Sequence, residues 1–130
     1  MASESAPRKN RVLVVDDESS VADTLAQILN FRGYEAASVY SLAQAFAWLE
    51  SNGICDAVIS DVVMDGAMSG IDLAIKLGSV SPQCKVLLIS GNNLTADLLK
   101  AAGQQGHTFK VLPKPVHPDV ILQRLRDLMD

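Results

Sequence analysis

The sequence predicts an α/β domain in which a five-stranded parallel sheet is covered on both faces by five helices. Three observations carry that expectation. The runs Arg11–Val15 (RVLVV), 57–59 (AVI) and 85–89 (KVLLI) are apolar without alternation, as strands buried on both faces are. Between them lie segments whose apolar residues recur at helical spacing. The connections are short, and strands alternating with helices build a parallel sheet joined by right-handed crossovers.

The elements follow in order. The first strand ends in Asp16-Asp17-Glu18. Ser19 or Ser20 is expected to cap the first helix, whose stripe is Val21, Leu25, Ile28 and Leu29, and Gly33 to stop it. A short second strand spans 35–40. Ser41 caps the second helix, with Leu42, Ala45, Phe46 and Leu49 as its stripe, Trp48 packing beside it and Gly53 closing it. The third strand runs from Ala57 to Asp61, and the loop after it carries Gly66 and Gly70. The third helix sets Ile71, Ala74 and Ile75 on one face and Leu73 and Leu77 on the next, before a turn at Ser81-Pro82. The fourth strand ends in Ser90-Gly91. Asn92 or Asn93 is expected to cap a fourth helix over 94–102, ended by Gly103, and a fifth strand to span 108–112. Pro113-Lys114-Pro115 breaks the chain. Pro118 and Asp119 suit the first turn of the last helix, whose stripe is Ile121, Leu125 and Leu128.

Composition narrows the function classes. With 130 residues, 48% of them hydrophobic and 20% charged, the chain has the size and balance of one globular domain. Residues 1–10 are expected to be a disordered leader, with the domain over 11–130. A net charge of −4 and a pI near 5.0 argue against direct nucleic-acid binding, which needs a basic face. No apolar run approaches the ~20 residues that span a bilayer, and the N-terminus lacks the apolar core of a signal peptide. A cytoplasmic location with no membrane partner is therefore expected. Cys55 and Cys84, isolated in sequence, make neither a disulfide framework nor a zinc site, and reduced thiols are expected. His107 and His117 fall in loops and are read as structural or exposed.

All strands of a parallel sheet end at one edge, and open α/β sheets bind ligands there. The residues leaving those ends are Asp16 and Asp17, Asp61, Ser90 and Lys114. Taken singly, each has a plain role: the aspartates as turn or cap residues, Ser90 as an N-cap, Lys114 as a surface lysine. Taken together, three carboxylates repel one another unless a cation intervenes. Mg²⁺ (or Mn²⁺) accepts one or two carboxylates, waters and a phosphate, and Lys114 adds a compact point charge. The set suits a phosphoryl group attacked in line by a carboxylate, giving an aspartyl phosphate. No catalytic-triad, P-loop or dinucleotide-binding motif appears.

The segments VLVVDDE (12–18), DAVISDVVM (56–64), SGIDLA (69–74), KVLLISG (85–91) and PKP (113–115) resemble the receiver domain of two-component response regulators, in family order and spacing over residues 11–129. The resemblance implies the flavodoxin-like strand order 2-1-3-4-5. It implies Asp61 as phosphoacceptor and Asp17 as direct Mg²⁺ ligand, with Asp16 as a water-mediated or supporting one. The backbone carbonyl of Val63 is a further ligand, Ser90 the switch hydroxyl, Lys114 the phosphate-pairing lysine and Lys114–Pro115 a cis peptide. The implied activity is uptake of a phosphoryl group from a histidine kinase or histidine phosphotransfer protein. Slow self-dephosphorylation, rather than enzymatic turnover, would follow. The switch would be read through the face made by the fourth helix, fifth strand and fifth helix. There Leu98, Leu99 and Ala102 form either a homodimer patch or core packing. A stand-alone receiver is expected ahead of a piece of a longer regulator or hybrid kinase. A phosphorylation-independent adaptor and a small Mg²⁺-dependent aspartyl phosphatase are the alternatives.

Three departures from the family pattern stand out. The loop Met64-Asp65-Gly66-Ala67-Met68 lacks the usual Pro and is one residue longer than the commonest form, so it is expected to be more mobile. Val111 stands where the switch aromatic usually is, with Phe109 out of register. Val63 cannot hydrogen-bond an attacking water, whereas Asn92 can.

Overall fold

The computed structural model describes residues 10–53, 55–64, 69–91, 95–107 and 109–129. Five strands, β1 (Arg11–Val15), β2 (Glu35–Val39), β3 (Ala57–Asp61), β4 (Lys85–Ser90) and β5 (Val111–Pro113), pair in parallel in the order β2-β1-β3-β4-β5. Five helices connect and follow them: α1 (Ser19–Phe31), α2 (Leu42–Asn52), α3 (Gly70–Val80), α4 (Thr95–Gln104) and α5 (Pro118–Met129). This is the architecture the sequence predicts and the strand order the resemblance implies. The order reverses between β1 and β3, so the ends of those two strands flank the crevice where such sheets hold ligands.

Successive side chains along a strand face opposite ways, and β1 shows why its run must be apolar throughout. Val12 and Val14 pack with Ala22, Leu25, Leu29 and Leu125 on the α1/α5 face. Leu13 and Val15 pack with Leu42, Ala45, Leu73 and Leu77 on the α2/α3 face. A third cluster, built on Val62, Ile71, Ala74, Leu88 and Ala102, seats α4, with Leu98 and Leu99 packed against it. Of the three apolar residues of α4 that the sequence left open between core and dimer patch, Ala102 is core, and Leu98 and Leu99 are half-buried against it.

Several boundaries differ from expectation. Neither Ser19 nor Ser20 caps α1; both lie in its first turn, the N-cap is Glu18, and the Asp16 carboxylate accepts the Glu18 N–H at 3.0 Å. The buried face of α1 is Ala22, Leu25, Ala26 and Leu29, while Val21 is 42% exposed. Small alanines toward the sheet let the helix sit close, which turns Val21 out toward a cleft. Ser41 does cap α2, accepting from the Gln44 N–H at 3.0 Å, and β2 stops one residue early at Val39. Trp48 is half-buried, with the Arg11 guanidinium 5.3 Å over its ring.

Gly103 lies inside α4 rather than ending it. The left-handed position is Gly106, at φ 89°, and the His107 N–H then returns to the Ala102 carbonyl at 2.9 Å. β5 covers 111–113 instead of 108–112. Its last residue, Pro113, pairs with Ser90, which an edge strand tolerates because its outer side has no partner to donate to. Residues 1–9 of the expected leader (1–10), the caps Asn92 and Asn93, the helix start at Leu94, Thr108 and the loop 65–68 lie outside the described residues. Cys55 and Cys84 are far apart in sequence, yet both are buried and free, with their sulfurs 3.9 Å apart. No helix among the described residues is long and apolar enough to cross a membrane.

The S-x-x-D pattern at 69–72 forms a capping box at the start of α3. Ser69 Oγ accepts from the Ile71 and Asp72 N–H groups at 3.1 and 3.4 Å, while the Asp72 carboxylate accepts the Ser69 N–H at 2.7 Å. Ser69→Ala is expected to lower stability by about 1 kcal/mol. A urea midpoint equal to wild type would show that the box contributes nothing.

Candidate functional site

The acidic cluster forms because two neighbouring strands end level with each other. Asp16 follows β1 directly and is buried, its N–H donating to the Val39 carbonyl at 3.2 Å. Asp17 comes next and is exposed. Asp61 is the last residue of β3, its side chain 12% exposed. One carboxylate oxygen from each lies within 4.8 Å of the others.

Lys114 reaches this cluster from beyond β4. Its Nζ lies 3.1 Å from Asp61 Oδ2 and 3.3 Å from Asp16 Oδ2. The stem crosses the end of β4 at Gly91, where an added Cβ would sit 3.1 Å from Lys114 Cβ. A glycine there keeps the passage open. The main chain is tied as well, with the Lys114 N–H donating to the Ser90 carbonyl at 3.0 Å, and the Lys114–Pro115 peptide is cis, as the resemblance implied.

Gly70 serves a second close approach. It opens α3, and its N–H donates to the Val62 carbonyl at 2.7 Å. A Cβ there would overlap the Asp61 carbonyl oxygen and lie 2.9 Å from Ser60 Oγ. The helix therefore starts directly against the residue that carries the carboxylate.

The electrostatics are unbalanced. Three carboxylates and one ammonium leave a formal charge of −3 + 1 = −2. Burial pushes the Asp61 carboxyl pKa up; the hydrogen bond and charge of Lys114 oppose this, the charges of Asp16 and Asp17 add to it, and the net shift is upward. Burial alone would pull the Lys114 ammonium down, but its hydrogen bond and charge contact with Asp61, then those with Asp16, leave its pKa raised. A divalent cation would cancel the residual charge. The donors are all hard oxygens, which fits Mg²⁺ or Mn²⁺ rather than a soft metal.

The structure thus brings Asp16, Asp17, Asp61 and Lys114 together. Ser90 ends β4 at the same edge and is buried, its Oγ 2.5 Å from Thr95 Oγ1 at the start of α4. Nothing in the sequence marks Thr95, because the helix is expected from residue 94 and its place at the start of α4 emerges only from the fold. Val63 lies in the bend after β3, half-buried, its side chain packed against the α4 cluster. Val111 is half-buried in that cluster too, beside Phe109, which stacks on His107 at 6.4 Å. Asn92 lies outside the described residues. The cluster opens on a cleft of about 520 Å³ whose apolar walls include Val21, Leu25 and Ile121 from α1 and α5.

Comparison with known proteins agrees with this geometry. The sequence matches the family model of the response regulator receiver domain over residues 12–126. The DNA-binding transcriptional regulator NtrC of Azospirillum brasilense is 31% identical over 104 residues, which are 80% of this chain and 21% of that protein. The response regulator MprA of Mycobacterium sp. (strain KMS) is 29% identical over 119 residues, 92% of this chain and 50% of that protein. The chain thus spans half or less of the length of these relatives. A CheY-like response regulator receiver domain protein from Methanospirillum hungatei JF-1 superposes with a TM-score of 0.81 at 24% identity, covering 95% of both chains. A receiver domain from Clostridium thermocellum gives a TM-score of 0.78 at 25% identity, over 92% of this chain and 94% of that one.

Proposed function

We propose that this chain, which belongs to the family of response regulator receiver domains, accepts a phosphoryl group on Asp61 and switches the face made by α4, β5 and α5. The supporting observation is the convergence of three carboxylates within 4.8 Å of one another with Lys114 on two of them. A carboxylate oxygen of Asp61 attacks phosphorus in line. The O–P bond forms as the P–N bond of a phosphohistidine donor breaks, and the imidazole leaves with the electron pair. Lys114, already poised between Asp61 and Asp16, turns its ammonium to a phosphoryl oxygen. Ser90 supplies a hydroxyl donor at the same edge. Mg²⁺, when bound, would neutralise the phosphoryl oxygens; Asp17, Asp61 and the Val63 backbone carbonyl would hold it, with Asp16 in support.

The donor is a histidine kinase or a histidine phosphotransfer protein. The acyl phosphate hydrolyses slowly on the protein itself, so the chain is a phosphoacceptor rather than a turnover enzyme. The site of action is cytoplasmic, and the switched face is the surface offered to downstream partners or to a second copy.

The test is intact mass after incubation with acetyl phosphate and Mg²⁺. One phosphoryl group should be gained, removable by hydroxylamine and prevented by a chelator. Lys114→Ala should keep the acceptor but label roughly a hundredfold more slowly. No mass gain, or a gain that survives chelation, would overturn the reading. Partner binding indifferent to phosphorylation would point instead to an adaptor, and repeated turnover of phosphomonoesters to a phosphatase.

A further inference from the structure

Ser90 has little main-chain freedom. Its carbonyl accepts the Lys114 N–H, its strand neighbour Ile89 pairs with Asp61 on β3, and it pairs itself with Pro113 on β5. Only rotation about χ1 can redirect its hydroxyl. That hydroxyl lies 2.5 Å from Thr95 Oγ1, a short contact between two groups that each carry one proton. Thr95 is half-buried and opens α4, a helix whose one buried residue is Ala102, near its far end.

We infer that Thr95 is a positioning residue: its hydroxyl latches Ser90 away from Asp61 and ties the first turn of α4 to the end of β4. The inference rests on the receiver reading given above. When Ser90 turns its hydroxyl toward a phosphoryl group on Asp61, the Thr95 contact breaks and the first turn of α4 is released. The latch therefore opposes activation and passes the event to the helix. Removing the hydroxyl while keeping the shape should make the activated state easier to reach.

The experiment titrates BeF₃⁻, a phosphoryl mimic, with Mg²⁺ into wild type, Thr95→Val and Thr95→Ser, followed by amide NMR shifts. Thr95→Val is expected to bind two- to tenfold more tightly, the size of one hydrogen bond. Thr95→Ser should bind like wild type. In a Ser90→Ala background Thr95→Val should add nothing, because the latch has lost its other half. Hydrogen exchange of the ligand-free protein should quicken at the first turn of α4 in Thr95→Val alone, and Thr95→Ala replaces Thr95→Val if that variant folds poorly. A merely structural role would loosen α4 without tightening BeF₃⁻ binding. The latch is overturned if folded Thr95→Val binds no tighter than wild type, if Thr95→Ser behaves like Thr95→Val, or if the gain persists without Ser90. If wild type itself shows no BeF₃⁻-dependent shift, the receiver reading fails first and the latch falls with it.

Discussion

Asp61→Asn is expected to abolish phosphoryl uptake and, without metal, to make the protein more stable than wild type. The first effect follows from chemistry, because an amide oxygen is not a competent nucleophile toward phosphorus and Asp61 is the carboxylate that ends β3 beside Lys114. The second follows from electrostatics. Burial, helped by Asp16 and Asp17 and opposed by Lys114, holds the Asp61 pKa above its ordinary value. The folded state thus holds the Asp61 proton more tightly than the unfolded chain does. The stability that proton confers is complete below the ordinary carboxylate range and is lost as pH rises through the raised pKa. At pH 7 the ionised carboxylate destabilises the fold, and a neutral isostere relieves it and raises Tm. The advantage of Asp61→Asn should shrink as the pH falls from 7 toward 4. Mg²⁺ should reverse the order, since it stabilises the state that binds it and wild type has the fuller ligand set. Thermal melts in chelator and in Mg²⁺ across that range decide the matter. A variant less stable than wild type in chelator at pH 7 would show that the Lys114 pair outweighs the repulsion.

Gly70→Ala is expected to be the most disruptive single-methyl change near the site. Glycine is not needed there for an unusual backbone angle, because among the described residues the positive φ values fall at Gly33, Gly53 and Gly106. It is needed for space. The new methyl would overlap the Asp61 carbonyl oxygen and press on Ser60 Oγ, both fixed by β3. Alanine's better helix propensity returns up to about 1 kcal/mol. Overpacking against backbone costs more, so a net loss of about 2 kcal/mol is expected. Relief by displacement moves Asp61 itself, and labelling by acetyl phosphate should slow by more than the lost stability explains. Gly78→Ala is the control in the same helix. It meets nothing within 4 Å and should stabilise by roughly 0.5–1 kcal/mol. Equal effects of the two substitutions in urea unfolding would show that the close approach at Gly70 is relieved at no cost.

The layers of the fold and its acidic edge are legible in residue order alone. Unalternating runs at 11–15, 57–59 and 85–89 can be buried only between two layers of helices, and parallel strands must all end on one side. Asp16, Asp17, Asp61, Ser90 and Lys114 were therefore readable as one group before any distance was known. Where one residue decides locally, as Ser41 does at a cap and Gly33 and Gly53 do at positive φ, expectation and structure also agree. Other features depend on packing between elements. The rotation of α1 that exposes Val21, the start of β5 at Val111 and the true stop of α4 at Gly106 depend on what packs opposite, and periodicity does not encode that. The Cys55–Cys84 contact and the Ser90–Thr95 pair join residues whose local patterns are silent about each other. Even the imbalance at the acidic edge needed three dimensions. Residue types supply the charges, but a raised pKa at Asp61 arises only where burial withholds the water that would screen them.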